Sequence, residues 1–239
     1  MMKKIISISL LILSSFIAVA QDQLIVDANA QLRNLKGSFN KIRVTHAIKV
    51  IITQSDTESI AVSANDDKYI DDIITELEGS TLSIRSKGNS WTGRSNRQLK
   101  VYISFNKLEE VDVSGASDIL TVGAIKQPSL KIDLSGASTL KAELQVNTLA
   151  LDLSGASKLV LQGTTDVLKA DCSGASDLEA FGLIAETANL DVSGASDIEI
   201  NVNKDIKAEA SGASSIRYKG TPSVTNVKTS GASSIKKKD

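Results

Sequence analysis

The chain has 239 residues, with 27 Lys+Arg against 28 Asp+Glu, one histidine and a net charge of −1. That balance argues against nucleic acid, which would favour a clustered basic face, and a single cysteine, Cys172, excludes an intramolecular disulfide framework. Only seven aromatics follow residue 20 (Phe39, Tyr69, Trp91, Tyr102, Phe105, Phe181 and Tyr218), so Val, Ile, Leu and Ala must fill a thin, repetitive core.

Residues 1–20 read as a signal peptide. Lys3 and Lys4 open it, Ile5 to Val19 is apolar, and Ala18-Val19-Ala20 supplies the small-x-small cleavage pattern. Gln21 is then the mature N-terminus. No cysteine follows the cut, so no lipoprotein anchor is indicated, and no later stretch reaches membrane-spanning length. Losing two lysines lowers Lys+Arg from 27 to 25 against 28 acids, a mature charge of about −3. The expected location is exported: periplasm, outer-membrane surface or extracellular.

Residues 21–110 read as irregular β-rungs of the same domain as the repeats that follow. Ile42 to Val50 has the pattern of Val111 to Ile119, with His46 in the slot that holds glycine later. Ile60 to Ala64 and Leu99 to Phe105 alternate as strands. The spacing between Asp66 and Gly79 predicts a short helical turn to about Asp72, then a hairpin across Glu78 to Ser80. Lys87 to Gln98 is a polar, basic loop carrying Trp91, Arg94 and Arg97.

Residues 111–239 are a regular repeat. Ser-Gly-Ala-Ser begins at Ser114, Ser135, Ser154, Ser173, Ser193, Ser211 and Ser230, at intervals of 21, 19, 19, 20, 18 and 19 residues. A period near twenty marks a solenoid, whose units bury their apolar faces only by stacking. The leucine ladder of leucine-rich repeats is missing, so an all-β parallel β-helix fits better. Val113, Leu134, Leu153, Cys172, Val192, Ala210 and Thr229 precede the tetrapeptides, and Val111, Ile132, Leu151, Ala170, Leu190, Ala208 and Val227 stand two positions earlier. Between them run Asp112, Asp133, Asp152, Asp171, Asp191, Glu209 and Lys228, an in-out-in alternation typical of half-buried strands. Each rung is therefore expected as strand, tight corner, strand and a variable return such as Gly123 to Ser129, with Pro128 and Pro222 in the returns. Seven rungs would span about 30 Å. The lysines Lys236, Lys237 and Lys238 would blunt the final edge.

With these features the chain resembles the putative auto-transporter adhesin head GIN domain family of secreted proteins, common in Bacteroidetes. Gly37-Ser38-Phe39-Asn40, the Val44 to Val50 rung, the Glu78 to Leu82 turn, and Leu108 to Ile119 leading into the tetrapeptide series carry the resemblance. It extends from about Gly37 to Ile235 and implies a right-handed parallel β-helix at the cell envelope or surface. No catalytic residues come with it.

The residues themselves suggest no catalyst. His46 has no recognisable nucleophile partner and Cys172 occupies a core column, which leaves no zinc ligand set. No cofactor motif is present, and neither cofactor nor metal is expected. The acidic column Asp112, Asp133, Asp152, Asp171, Asp191 and Glu209 reads as a solvated structural ladder, with cation binding as the alternative. The expected function is a non-catalytic surface protein, an adhesin or binding scaffold for a protein or glycan. The alternatives are a polysaccharide-acting β-helix enzyme, which would need longer loops around a cleft, and a purely structural envelope protein. Trp91, Arg94 and Arg97 are the candidate ligand contacts.

Overall fold

The computed structural model describes residues 26–87 and 97–238, so residues 1–25, 88–96 and 239 lie outside it. Among the described residues, sixteen strands join in one continuous sheet that coils into a parallel β-helix. The first rungs are assembled from short pieces. Strands β1 (Gln31–Arg33), β2 (Lys41–Val44), β3 (Lys49–Gln54) and β4 (Ser59–Ala64) precede a 3₁₀ turn, Asp67–Asp72, which Asp66 caps by accepting from Lys68 N–H. A hairpin follows, β5 (Ile73–Glu78) and β6 (Thr81–Ser86), closed at Gly79 with φ +62°. Both the helical turn and the hairpin stand where the spacing placed them. Then come β7 (Leu99–Phe105) and β8 (Glu110–Val113).

The repeats form long strands that bend around the solenoid: β9 (Asp118–Leu134), β10 (Thr139–Leu153), β11 (Lys158–Cys172), β12 (Asp177–Val192) and β13 (Asp197–Ala210). The last turn is β14 (Ser215–Lys219), β15 (Ser223–Thr229) and β16 (Ser234–Lys237). Leu151↔Ala170 and Leu153↔Cys172 register side by side, so apolar columns stack rung on rung. Ile132, Leu134, Leu151, Leu153, Ala170, Cys172, Leu190 and Val192 are buried. Large side chains gather at the N-terminal end, where Phe39, Phe105, Ile70 and Leu108 are buried. There the antiparallel strands β1, β4 and β5 extend the parallel ladder.

The corner follows from its four small residues. In the first copy Ser114 is half-buried, Gly115 and Ala116 are exposed, and Ser117 is buried. Glycine is required: Gly155 has φ +72°, and a Cβ there would lie 2.6 Å from the carbonyl oxygen of Gly136. That closeness lets Ala156 N–H donate to Gly136 C=O at 2.7 Å, continuing the inter-rung ladder through the bend. The inward serines are buried at the corner, where Ser138 and Ser214 each donate at 2.9 Å to the carbonyl three residues earlier and Ser176 donates to Ser196 Oγ at 3.2 Å. His46 takes the glycine slot with φ +71°, and Ala116 N–H donates to its carbonyl.

The returns differ from expectation. Gly123 to Ser129 is not a loop but part of β9, where Ile125 pairs with Leu144 and Ser129 with Thr148. The reason is that Ile125 and Leu130 point inward and are buried, so this third face also supports a half-buried strand. Above it the neighbours stop: β3 pairs with β9 only to Val122, and β8 only from Lys131. Pro128 thus lies on a strand edge with no partner above, where its missing N–H costs no ladder bond. The Gln54 side chain fills part of the gap, accepting from Lys126 N–H at 2.7 Å and donating to Lys126 C=O at 3.1 Å. Pro222 lies between β14 and β15, as expected for a return.

Candidate functional site

Three surface features could engage a ligand. The first is the acidic column. Pairing places Asp112, Asp133, Asp152, Asp171, Asp191 and Glu209 directly side by side on successive rungs. Rungs about 4.8 Å apart put these like charges within strong mutual repulsion. Cations close both ends: Arg43 Nε lies 3.0 Å from Asp112, and Lys228 pairs with Glu209. Lys131 holds Asp133 at 2.8 Å. Burial, then the neighbouring carboxylates, pushes the Asp171 pKa up, and burial does the same at Asp133 despite Lys131. Among the described residues no group of three or more His, Cys, Asp or Glu side chains could hold a metal ion.

The second feature is the N-terminal end around Lys87 and Arg97, the described residues that flank residues 88–96. Trp91 and Arg94 lie outside the described residues. Arg97 stands at the root of that span, half-buried, with Nη1 2.8 Å from Asp72 Oδ2. Lys87 N–H donates to Asp72 C=O at 2.7 Å, so Asp72 anchors both sides of the span. Beside Lys87 is a groove of about 320 Å³, lined in part by Arg33, Asn34, Asp71 and Glu76. A wider open groove of about 1140 Å³ lies over the unpaired stretch of β9, between Gln54, Asn106, Lys126 and Gln145.

The third feature escaped sequence reasoning. Phe181 carries Lys219 at 4.6 Å and Lys238 at 5.1 Å from its ring centre. Phe181 lies in the register shift between β12 and β13 that falls between Ala180 and Ile184. No sequence spacing signals it. Cys172 is buried, and burial pushes its thiol up to about 12, which removes it as a nucleophile. Among the described residues no helix is long and apolar enough to cross a membrane.

This stack of rungs has known counterparts. The family described as putative auto-transporter adhesin, head GIN domain, matches residues 38–222. The chain belongs to that family. This head GIN domain chain is also similar to solved structures. One is a putative adhesin from Bacteroides fragilis, 24% identical, covering 88% of this chain and 98% of that one with a TM-score of 0.79. Another is a putative adhesin from Parabacteroides merdae, at 21% identity, 88% and 95% coverage and a TM-score of 0.70. A third, named a putative lipid binding protein, comes from Parabacteroides distasonis, at 21% identity, 89% and 98% coverage and a TM-score of 0.68. At these identities the likeness establishes the fold of the head GIN domain and nothing finer. No curated protein matches the chain.

Proposed function

We propose that the chain is an exported, non-catalytic adhesin: a rigid solenoid that holds a ligand-contacting end away from the cell. Membership of the adhesin family across residues 38–222 carries this reading. Two properties of the fold agree with it. The rungs are uniform, so the repeat region supplies length and stiffness. The irregular rungs gather grooves and the 88–96 span at one end. Trp91, Arg94 and Arg97 are the proposed contacts, the first as an aromatic platform and the arginines as donors to acidic or hydroxylated groups. The ligand is a surface protein or glycan.

The test is binding of the mature protein to glycan and envelope-protein arrays. Trp91→Ala is expected to weaken the captured ligand at least ~10-fold, the usual cost of losing an interface aromatic. Unchanged binding would move the site elsewhere. Turnover of an acidic polysaccharide would replace the adhesin reading with an enzymatic one.

A further inference from the structure

The two ends of the solenoid are unlike in charge. Residues 215–239 hold the last turn and carry five lysines (Lys219, Lys228, Lys236, Lys237 and Lys238) and Arg217 against one acid, Asp239. At the opposite end, Asp66 to Glu78 carries six carboxylates against one lysine; Asp66, Glu76 and Asp72 are paired with Lys68, Arg85 and Arg97, and Asp67, Asp71 and Glu78 complete the acidic rim. Among the described residues, strand β5, the terminal strand on that side, pairs only with β6, and β15, the terminal strand at the other end, pairs only with β13. Both present an open edge.

The register links these edges. The outward column through Asp112 starts at Glu76 on β5, passes Ser83 and Arg43, continues down the aspartates, and ends at Lys228 on β15. The next column on that face starts at Glu78 and passes Thr81 and Lys41. Inside the last turn, apolar columns stop without a cover. Val224 is 43% and Val227 41% exposed, although Ile206 and Ala208, their partners one rung earlier, are buried. At the other end Leu32, on the terminal strand β1, is 81% exposed.

We propose that the occupant of the open C-terminal turn is the N-terminal end of a second copy of this chain, giving head-to-tail stacks. In such a stack Lys228 meets the Glu76 column of the next molecule, and the lysines of β16 face its acidic rim. Strand β15 adds to the β5 edge antiparallel, because β5 runs against the parallel ladder. Val224 and Val227 gain an apolar cover. A tail-to-tail dimer would instead set five lysines against five, so the lysines select against it while favouring the acidic end. A contact between unlike ends is heterologous and does not close, so it builds filaments rather than dimers. One rung with sides of roughly 20 Å presents an end face of about 400 Å², below the ~800 Å² per partner of a standard interface, so assembly depends on concentration. None of this depends on which ligand the protein binds.

The experiment is sedimentation velocity of the mature chain from about 10 μM to about 1 mM, with electron microscopy of the concentrated sample. The expected result is a mass that climbs past the dimer, and filaments one solenoid wide. At about 1 M salt, where the screening length is about 3 Å, the mass should fall toward monomer. Two charge-reversed proteins test the polarity. One carries Lys236→Glu and Lys237→Glu, the other Asp71→Lys and Glu78→Lys; all four side chains are exposed, so folding is checked simply by matching circular dichroism. Each alone should stay monomeric, and an equal mixture should assemble again, because the acidic tail of one fits the basic head of the other. A monomer at every concentration, an association that stops at dimer, or a mixture that fails to assemble would each overturn the proposal.

Discussion

Glycine and serine set the corner one residue at a time. The positive φ at Gly155 and the approach of Gly136 C=O leave no room for a side chain, so Gly155→Ala combines backbone strain with a steric clash. The expected loss is roughly 2–4 kcal/mol, read from the denaturation midpoint at constant slope. His46 offers the opposite case. It already occupies the left-handed region at φ +71°, so His46→Gly should leave stability unchanged or raise it by up to about 1 kcal/mol. The inward serine could not be told from the outward one by spacing alone. Both look equally small in the tetrapeptide, and only the fold shows that Ser117, Ser138, Ser176 and Ser214 are buried while their partners at the start of the corner lie half-exposed.

Strand alternation was the most legible level. The columns before each corner gave the inward and outward faces of β9 to β13, because a period of two is visible in residue type. The return strands were not legible: Gly123 and Pro128 read as parts of a variable return, and only stacking on β10 turns that stretch into ladder. The acidic column makes a pH prediction at this scale. Asp133 and Asp171 have raised pKa values in the fold, so they bind protons more readily folded than unfolded. Their contribution is fully present below the ordinary carboxylate value and is lost as pH rises through the raised values. Glu110 and Asp27, held low by Lys41 and Lys100, act oppositely and lose their contribution as pH falls. Asp171→Asn should therefore raise the melting temperature at pH 7 and flatten its rise on acidification. A like-charge pair across strands is worth roughly 0.2–1 kcal/mol. A melting temperature that drops at pH 7 would show that the carboxylate is needed there.

Across the whole molecule, stability should vary along the axis, since each rung is supported only by its neighbours. The N-terminal end is closed by antiparallel strands and buried Phe39 and Phe105, whereas Val224 and Val227 are left open at the other. Hydrogen exchange at low protein concentration should therefore be slowest in β10 to β12 and fastest in β15 and β16. Equal protection along the axis would mean that the stack unfolds as one unit. At high concentration, head-to-tail assembly would slow exchange in β15 selectively. The proposed contact residues and the proposed assembling edge share one end: β5 lies near Asp72, which holds Lys87 and Arg97, so stacking would compete with ligand binding there.

The amino-acid sequence by itself determined the solenoid, its period, the faces of its strands and the position of its corners. These follow from local rules repeated often enough to be counted: alternation, glycine where φ must be positive, and small residues where rungs meet. The tertiary structure decided everything that depends on rungs meeting out of sequence. It made the returns into strands, placed the Gln54 amide against an unpaired edge, brought Lys219 and Lys238 over Phe181, and left one end capped and the other open. Those contacts join residues whose separation in the chain carries no periodic signal, so only the stacked coordinates reveal them.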